Sequence, residues 1–203
     1  MFQHRMTGFT QSVTIIHPGE YLCTKDDIII ATVLGSCVAV ALKDDAAGVG
    51  GLNHFMLPGA FKDSAVPKGP DLFASVPGKY GMYAMELLIN DMLKMGARRE
   101  RLVAKVFGGG AVLALGAGSH NTVPKNNIDF AFEFLKAEGI PVTTQDVGGT
   151  SARKILFFVR DGKVLLKRIT GTLIAAVKQE ERTYLERIVR REGSTGEVTI
   201  FKD

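Results

Sequence analysis

The chain has 203 residues, 46% apolar and 23% charged, which favours one domain with a sizeable core and excludes disordered and fibrous classes. No apolar run approaches the roughly 18 residues of a membrane span, and two cysteines without a C-x-x-C cannot make a disulfide framework. The net charge of +4 is scattered, with concentrations only at Arg98, Arg99 and Arg101 and from Lys178 to Arg191, so no dense basic stripe marks a nucleic-acid surface.

In chain order, "MFQHRMTGFTQSVTIIHPGE" lacks the apolar centre and small-residue cleavage site of a secretory signal, and the expected setting is a reducing cytoplasm. The first third reads as strands: "SVTII", "IIIATVL", "CVAVAL" and "VGGLNHFML", separated by Pro-Gly, Asp-Asp and Gly punctuation. Residues 58–79 are rich in proline and glycine and predict a long exposed loop directly after His54. A helix follows over about Met82–Met95, with Met82, Met85, Leu88, Ile89 and Met92 as its core-facing stripe and Gly96 as its stop. "LVAKVF" is a further strand, ended by three glycines. A second helix is expected over Asn127–Glu138, capped by Asn126 or Asn127, with Ile128, Ala131, Phe132 and Leu135 inward. "VTTQDV" is a short strand, and "KILFFVRDGKVLLKRI" is a hairpin whose Asp-Gly favours a type I′ turn. A basic amphipathic helix over about Thr172–Arg191 closes the chain, with Ile174, Val177, Leu185 and Ile188 on its apolar side. Strands and helices without strict alternation predict an α+β layered domain.

One of the two cysteines and one of the four histidines fall in "LGSCVAVALKDDAAGVGGLNHF". If the flanking runs form a hairpin with a loop at Asp44–Ala47, paired residue numbers add to 91, a condition that Cys37 and His54 meet. They would then face each other with Cβ atoms about 4.5–5.5 Å apart. Such a pair suits covalent catalysis, because the imidazole takes the proton of a thiol that is otherwise largely protonated at neutral pH. The turn holding Gly35 and Ser36 offers backbone N–H groups for an oxyanion, and Thr32 and Ser36 are hydroxyl candidates for orienting the imidazole. The bland alternative is a small buried cysteine and a satisfied core histidine.

"HPGEYLCTKDDIIIATVLGSCVAVALKD", followed by "GGLNHFMLP", resembles the N-terminal half of the CheD family of bacterial chemoreceptor glutamine deamidases. The likeness continues through "KYGMYAMELLINDMLKMGARRERLVAKVFGGGAVL" and on to "KVLLKRI", covering approximately residues 15–170; residues 171–203 read as a variable helical extension of a single domain. The resemblance implies a layered sandwich of β-sheets flanked by helices. It implies hydrolysis of receptor glutamine side chains to glutamate, with Cys37 as nucleophile, His54 as its histidine and Thr32 as the third residue. It implies chemoreceptor cytoplasmic domains as substrate, a CheC-type phosphatase as a partner in some members, and neither metal nor cofactor.

Three rival readings follow from the residues. A non-catalytic adaptor docking on receptor or phosphatase would keep the core without needing a reactive Cys37. Cys23, in "EYLCTKDD", has acidic neighbours and no positioned histidine, and reads as structural. "FGGGAVLALGAGS" invites a phosphate-binding reading but matches neither nucleotide-binding glycine pattern. His4, His17, His54 and His120 show no ligand-like spacing for a metal.

Overall fold

The central strand of the molecule is the uninterrupted apolar run after Cys37. In the computed structural model, which describes residues 3–4, 8–58, 76–112, 122–169 and 173–192, this run is β5 (Val38–Asp44), buried along its whole length. It lies in the middle of a five-stranded sheet with β3 (Tyr21–Thr24), β6 (Val49–Asn53), β7 (Val103–Gly108) and β8 (Val142–Val147), in the order β3-β6-β5-β7-β8. A second sheet has the order β1-β2-β4-β9-β10, from β1 (Gln3–His4), β2 (Val13–Ile15), β4 (Ile29–Leu34), β9 (Ala152–Phe158) and β10 (Val164–Ile169). Both sheets are mixed: β2 and β4 run parallel, as do β7 and β8, and the other pairs are antiparallel.

A strand covered on both faces is apolar on both, and β5 is so from Val38 to Leu42, with a division of size, before it ends in the buried Lys43 and Asp44. Val38, Val40 and Leu42 face α1 (Val76–Lys94) and α2 (Val123–Ala137) in one core. Ala39 and Ala41 face the other sheet, meeting Ile30, Leu34, Ile155 and Phe157. Small residues between the sheets and large ones beneath the helices give a helix–sheet–sheet layering, an α+β sandwich as expected. The closing helix, α3 (Leu173–Glu192), adds Tyr184 and Ile188 to the inter-sheet core.

The opening hairpin forms with a different register. Ala41 pairs with Leu52 and Asp44 with Val49, and Val38 bridges Phe55, so paired numbers add to 93 rather than 91. Asp44 is strand rather than loop: its carboxylate accepts the Ala47 N–H at 3.0 Å and the Arg101 guanidinium at 2.8 Å, and Gly48 closes the turn at φ +66°. Moving the loop by one residue moves each cross-strand partner by two, which preserves the face. Cys37 and His54 are therefore diagonal neighbours on the inter-sheet side rather than directly opposed.

Both central helices start earlier than their apolar stripes suggest. α1 includes residues 76–79 of the expected loop, of which 59–75 lie outside the described residues; Met85, Leu88, Ile89 and Met92 are buried beneath it as expected. α2 begins at Val123 with Pro124 in its first turn, where the missing N–H costs nothing, so Asn126 and Asn127 are buried inside the helix rather than capping it. The β9–β10 hairpin has a five-residue connection, 159–163, instead of a two-residue Asp-Gly turn; Gly162 supplies the left-handed residue at φ +63°. Strands β1 and β3 were not expected from the sequence. No described helix is long and apolar enough to cross a membrane.

Candidate active site

Where the chain leaves β4 of one sheet to enter β5 of the other, it makes the tight passage Gly35-Ser36-Cys37. His54 stands one residue after β6 and Thr32 within β4, so three strand ends converge there. Cys37, His54 and Thr32 are all buried. The sequence assigned these residues together, and the structure brings them together.

Thr32 donates its hydroxyl proton to the carbonyl of Ile16 at 2.8 Å, and its Oγ1 lies 2.7 Å from His54 Nδ1. Because that proton is committed, Oγ1 receives Nδ1–H from the imidazole, and the hydrogen-bond network thereby assigns the tautomer. Nε2 is left as the bare nitrogen, with no hydrogen-bond partner. The histidine backbone is fixed as well, its N–H to Glu20 O at 2.9 Å and its carbonyl to Gly19 N–H at 2.7 Å.

The cysteine loop is gripped from three sides. Gly109 N–H donates to Cys37 O at 2.7 Å and Gly110 N–H to Gly35 O at 2.6 Å. These glycines are spent on the loop, which removes two donors from the phosphate-binding reading; residues 113–121 of that stretch lie outside the described residues. Gly108, at φ +116°, admits no side chain: a Cβ there would stand 2.2 Å from Cys37 O. Asn127 supplies the third grip, donating from Nδ2 to Ser36 O at 2.9 Å while its Oδ1 accepts Leu57 N–H at 2.8 Å. One buried amide thus ties the cysteine loop to the segment that follows His54.

The backbone of this passage points its N–H groups at a carboxylate. Gly35 and Cys37 N–H donate to one oxygen of Glu181 at 2.9 and 3.0 Å, while Ser36 N–H and Oγ–H donate to the other at 2.9 and 2.7 Å. Glu181 comes from α3, 144 residues beyond Cys37, and is buried. At Gly35 a Cβ would meet Val112 Cγ2 at 2.5 Å and Glu181 Oε2 at 2.7 Å, so glycine is what allows the close approach. The Cys37 thiol, a ring nitrogen of His54 and a carboxylate oxygen of Glu181 lie within 4.8 Å of one another. That grouping is also one that a cation could share, which histidine spacing in the sequence did not reveal; here the carboxylate is already engaged by four donors.

Burial pushes the Cys37 thiol well above its ordinary value, and the charge of Glu181 and a hydrogen bond to it push in the same direction. Burial also lowers His54 from 6.5 to about 3, with the charge of His17 adding to the effect. As it stands the pair is therefore neutral thiol and neutral imidazole. Cys23 is a contrasting thiol: buried in the core beneath α1 and raised to about 11, first by desolvation and then by Asp91. His17 bonds Glu180 at 2.7 Å on the surface, and His120 lies outside the described residues.

Sequence reasoning missed Glu181 and Asn127. For Glu181 a signal existed: it follows Val177 by four residues and precedes Tyr184 and Ile188 by three and seven, so a carboxylate interrupts an apolar stripe. For Asn127 none existed, because an asparagine at a helix start reads as a cap.

Comparison with known proteins places the chain. The profile described as "CheD chemotactic sensory transduction" matches residues 56–168. "Probable chemoreceptor glutamine deamidase CheD" of Laribacter hongkongensis is 45% identical over 194 residues, covering 96% of this chain and 90% of that protein. Its namesake from Herminiimonas arsenicoxydans is 43% identical over 95% of this chain and 91% of its own length. That from Bordetella petrii is 48% identical over 78% of this chain and 66% of its own. Among solved structures, that of the Bacillus licheniformis hypothetical protein YfiH covers 62% of this chain and 49% of its own at 15% identity and a TM-score of 0.35, a likeness too distant to bear on fold or function. With a matching profile over more than half the chain and relatives aligned nearly end to end, this protein belongs to the CheD family.

Proposed function

We propose that this chain is a cytoplasmic protein-glutamine deamidase that converts glutamines of bacterial chemoreceptors to glutamates through Cys37. The observation that carries the reading is the nest of N–H groups from Gly35, Ser36 and Cys37 converging on carboxylate oxygens beside the Cys37 thiol. The relatives named chemoreceptor glutamine deamidase supply the substrate class.

In this mechanism His54 Nε2 removes the thiol proton, and Sγ attacks Cδ of the glutamine side chain. Negative charge gathers on the amide oxygen, where the three N–H groups meet it; one such donor is typically worth about 10²–10³ in rate. The C–N bond then breaks, and ammonia leaves with the proton held at Nε2. Water, deprotonated by the same nitrogen, cleaves the thioester and releases glutamate. Thr32 keeps Nδ1–H pointed away from the sulfur, so Nε2 stays available throughout. No step requires a metal or cofactor.

Mass spectrometry of a receptor cytoplasmic fragment incubated with the protein tests the reading. The expected result is amide-to-acid conversion at discrete glutamines with the wild-type chain and none with Cys37→Ala. Conversion by Cys37→Ala at the wild-type rate would remove Cys37 from the mechanism, and no conversion by either chain would remove the deamidase.

A further inference from the structure

The N–H nest is built for an oxyanion, yet it holds a carboxylate of the chain itself. Glu181 presents to Gly35, Ser36 and Cys37 the functional group that deamidation of a glutamine leaves behind, and it presents it from a helix. Around it α3 buries Val177, Tyr184 and Ile188 against the rim of the sandwich, and Tyr184 bonds Tyr80 of α1 through their hydroxyls. Resting on the deamidase reading, we propose that α3 is a tethered product analogue: Glu181 occupies the position of the substrate side chain, and a receptor glutamine enters only when α3 withdraws.

Three independent features agree with this. First, the occupancy is chemically complete. Four donors, three of them backbone N–H groups that a buried loop cannot turn toward water, all find the carboxylate. Second, the seated helix disarms the nucleophile. Burial first, and then the carboxylate beside Cys37, oppose thiolate formation, so the group that blocks access also adds to what keeps the thiol protonated. Third, the seat is separable. Outside the nest the helix is held by a few apolar side chains and the Tyr184–Tyr80 hydroxyl pair, and its outer anchor, His17–Glu180, is an exposed pair of small worth, while water can solvate the carboxylate once the helix lifts. Tethering places the glutamate at a high effective concentration, which a competing substrate must exceed.

The arrangement also makes position 181 a substrate in waiting. In Glu181→Gln the amide carbonyl keeps the bonds from Gly35 and Cys37 N–H, and the amide nitrogen comes to Ser36, where it can donate to the hydroxyl oxygen while the Ser36 N–H gives up its acceptor. Cys37 Sγ then bonds to Cδ, the C–N bond breaks, ammonia leaves with the proton from His54, and water cleaves the thioester to restore the carboxylate.

The test uses the full-length chain. Peptide mass spectrometry of Glu181→Gln is expected to show conversion of position 181 to the acid at a rate independent of protein concentration, while the same substitution in a Cys37→Ala background keeps its amide. In Glu181→Ala, iodoacetamide is expected to label Cys37 at least about tenfold faster than in wild type, with Cys23 as internal reference, and the initial rate on a receptor fragment rises. Ile188→Glu, which unseats the helix without touching the carboxylate, is expected to behave like Glu181→Ala. An amide that persists at position 181 while wild type deamidates the receptor would overturn the inference and leave the deamidase standing. So would a Glu181→Ala chain that loses receptor activity, which would make the carboxylate part of the machinery. Absence of receptor deamidation by every chain would overturn both.

Discussion

The site has a wall and a cover, and the two are built differently. The wall, comprising Thr32, the 35–37 passage and His54, is held by neutral hydrogen bonds, to the Ile16 carbonyl and from Gly109, Gly110 and Asn127, among buried side chains. The cover, α3, is held by one buried carboxylate, a few apolar side chains, the Tyr184–Tyr80 hydroxyl pair and an exposed pair between His17 and Glu180. Burying neutral groups whose partners are in place, all but His54 Nε2, gives a fixed geometry, whereas seating a charge makes attachment conditional on the donors facing it. On the proposed mechanism, rigidity lies where bonds are to be broken, and reversibility where substrate must pass.

Perturbing the wall is expected to give the largest effects. Cys37→Ala should lower the rate of deamidation by at least about 10³-fold, read on a receptor fragment, while circular dichroism shows a native fold. A smaller loss would show that the sulfur is dispensable. Asn127→Ala strands the Ser36 carbonyl and the Leu57 N–H in the core and is expected to destabilise the protein by about 2–3 kcal/mol in urea. It would also uncouple the cysteine loop from the histidine side, so activity measured well below the unfolding midpoint falls too; intact activity would show that the two halves position themselves without this amide. Thr32→Val removes the acceptor of Nδ1–H and should cost about 10–100-fold in kcat with KM little changed, and Thr32→Ser should restore most of it. An unchanged kcat in Thr32→Val would show that the hydroxyl is not needed to orient the imidazole.

A smaller effect follows from His54. Its value in the folded chain, about 3 against 6.5, means that between these pH values the unfolded chain binds more protons than the folded one. Stability from this group is therefore full above about pH 6.5 and declines as pH falls toward 3. Replacing His54 by Gln should flatten the acid side of the urea-midpoint profile by roughly 1 kcal/mol across one pH unit. An unchanged slope would place the imidazole in contact with water. The smallest effect belongs to the other thiol: Cys23→Ala should leave deamidation unchanged and cost about 1 kcal/mol of stability as a filled core position is emptied. Any loss of turnover would break the distinction between the two cysteines.

How far each region could be read from the sequence follows the same division. β5 was legible because its run from Val38 to Leu42 is unbroken apolar, as a stretch buried on both faces favours, and α1 because four of its inward residues recur at helical spacing. Cys37 and His54 could be placed on one face despite the shifted turn, since the shift in pairing was even. The turn itself was not legible, because whether Asp44 ends a strand or begins a loop depends on Arg101, 57 residues away. The start of α2 was obscured by an asparagine pair whose second member serves a distant loop. Glu181 left only a faint trace, a carboxylate interrupting an apolar stripe: a residue that looks like an exposed charge in a basic helix acquires its role only when that helix docks. Local pattern carries what local physics decides, and a contact between segments 144 residues apart is outside its reach.

The account depends most on an acyl bond at one sulfur. With enzyme in excess over a glutamine-bearing receptor fragment, acid quenching at early times followed by intact-mass spectrometry should reveal a protein–fragment adduct at Cys37, less one ammonia and cleaved by hydroxylamine, that is absent in Cys37→Ala. Glutamate formation by the Cys37→Ala chain at the wild-type rate, with no adduct in either, would contradict it.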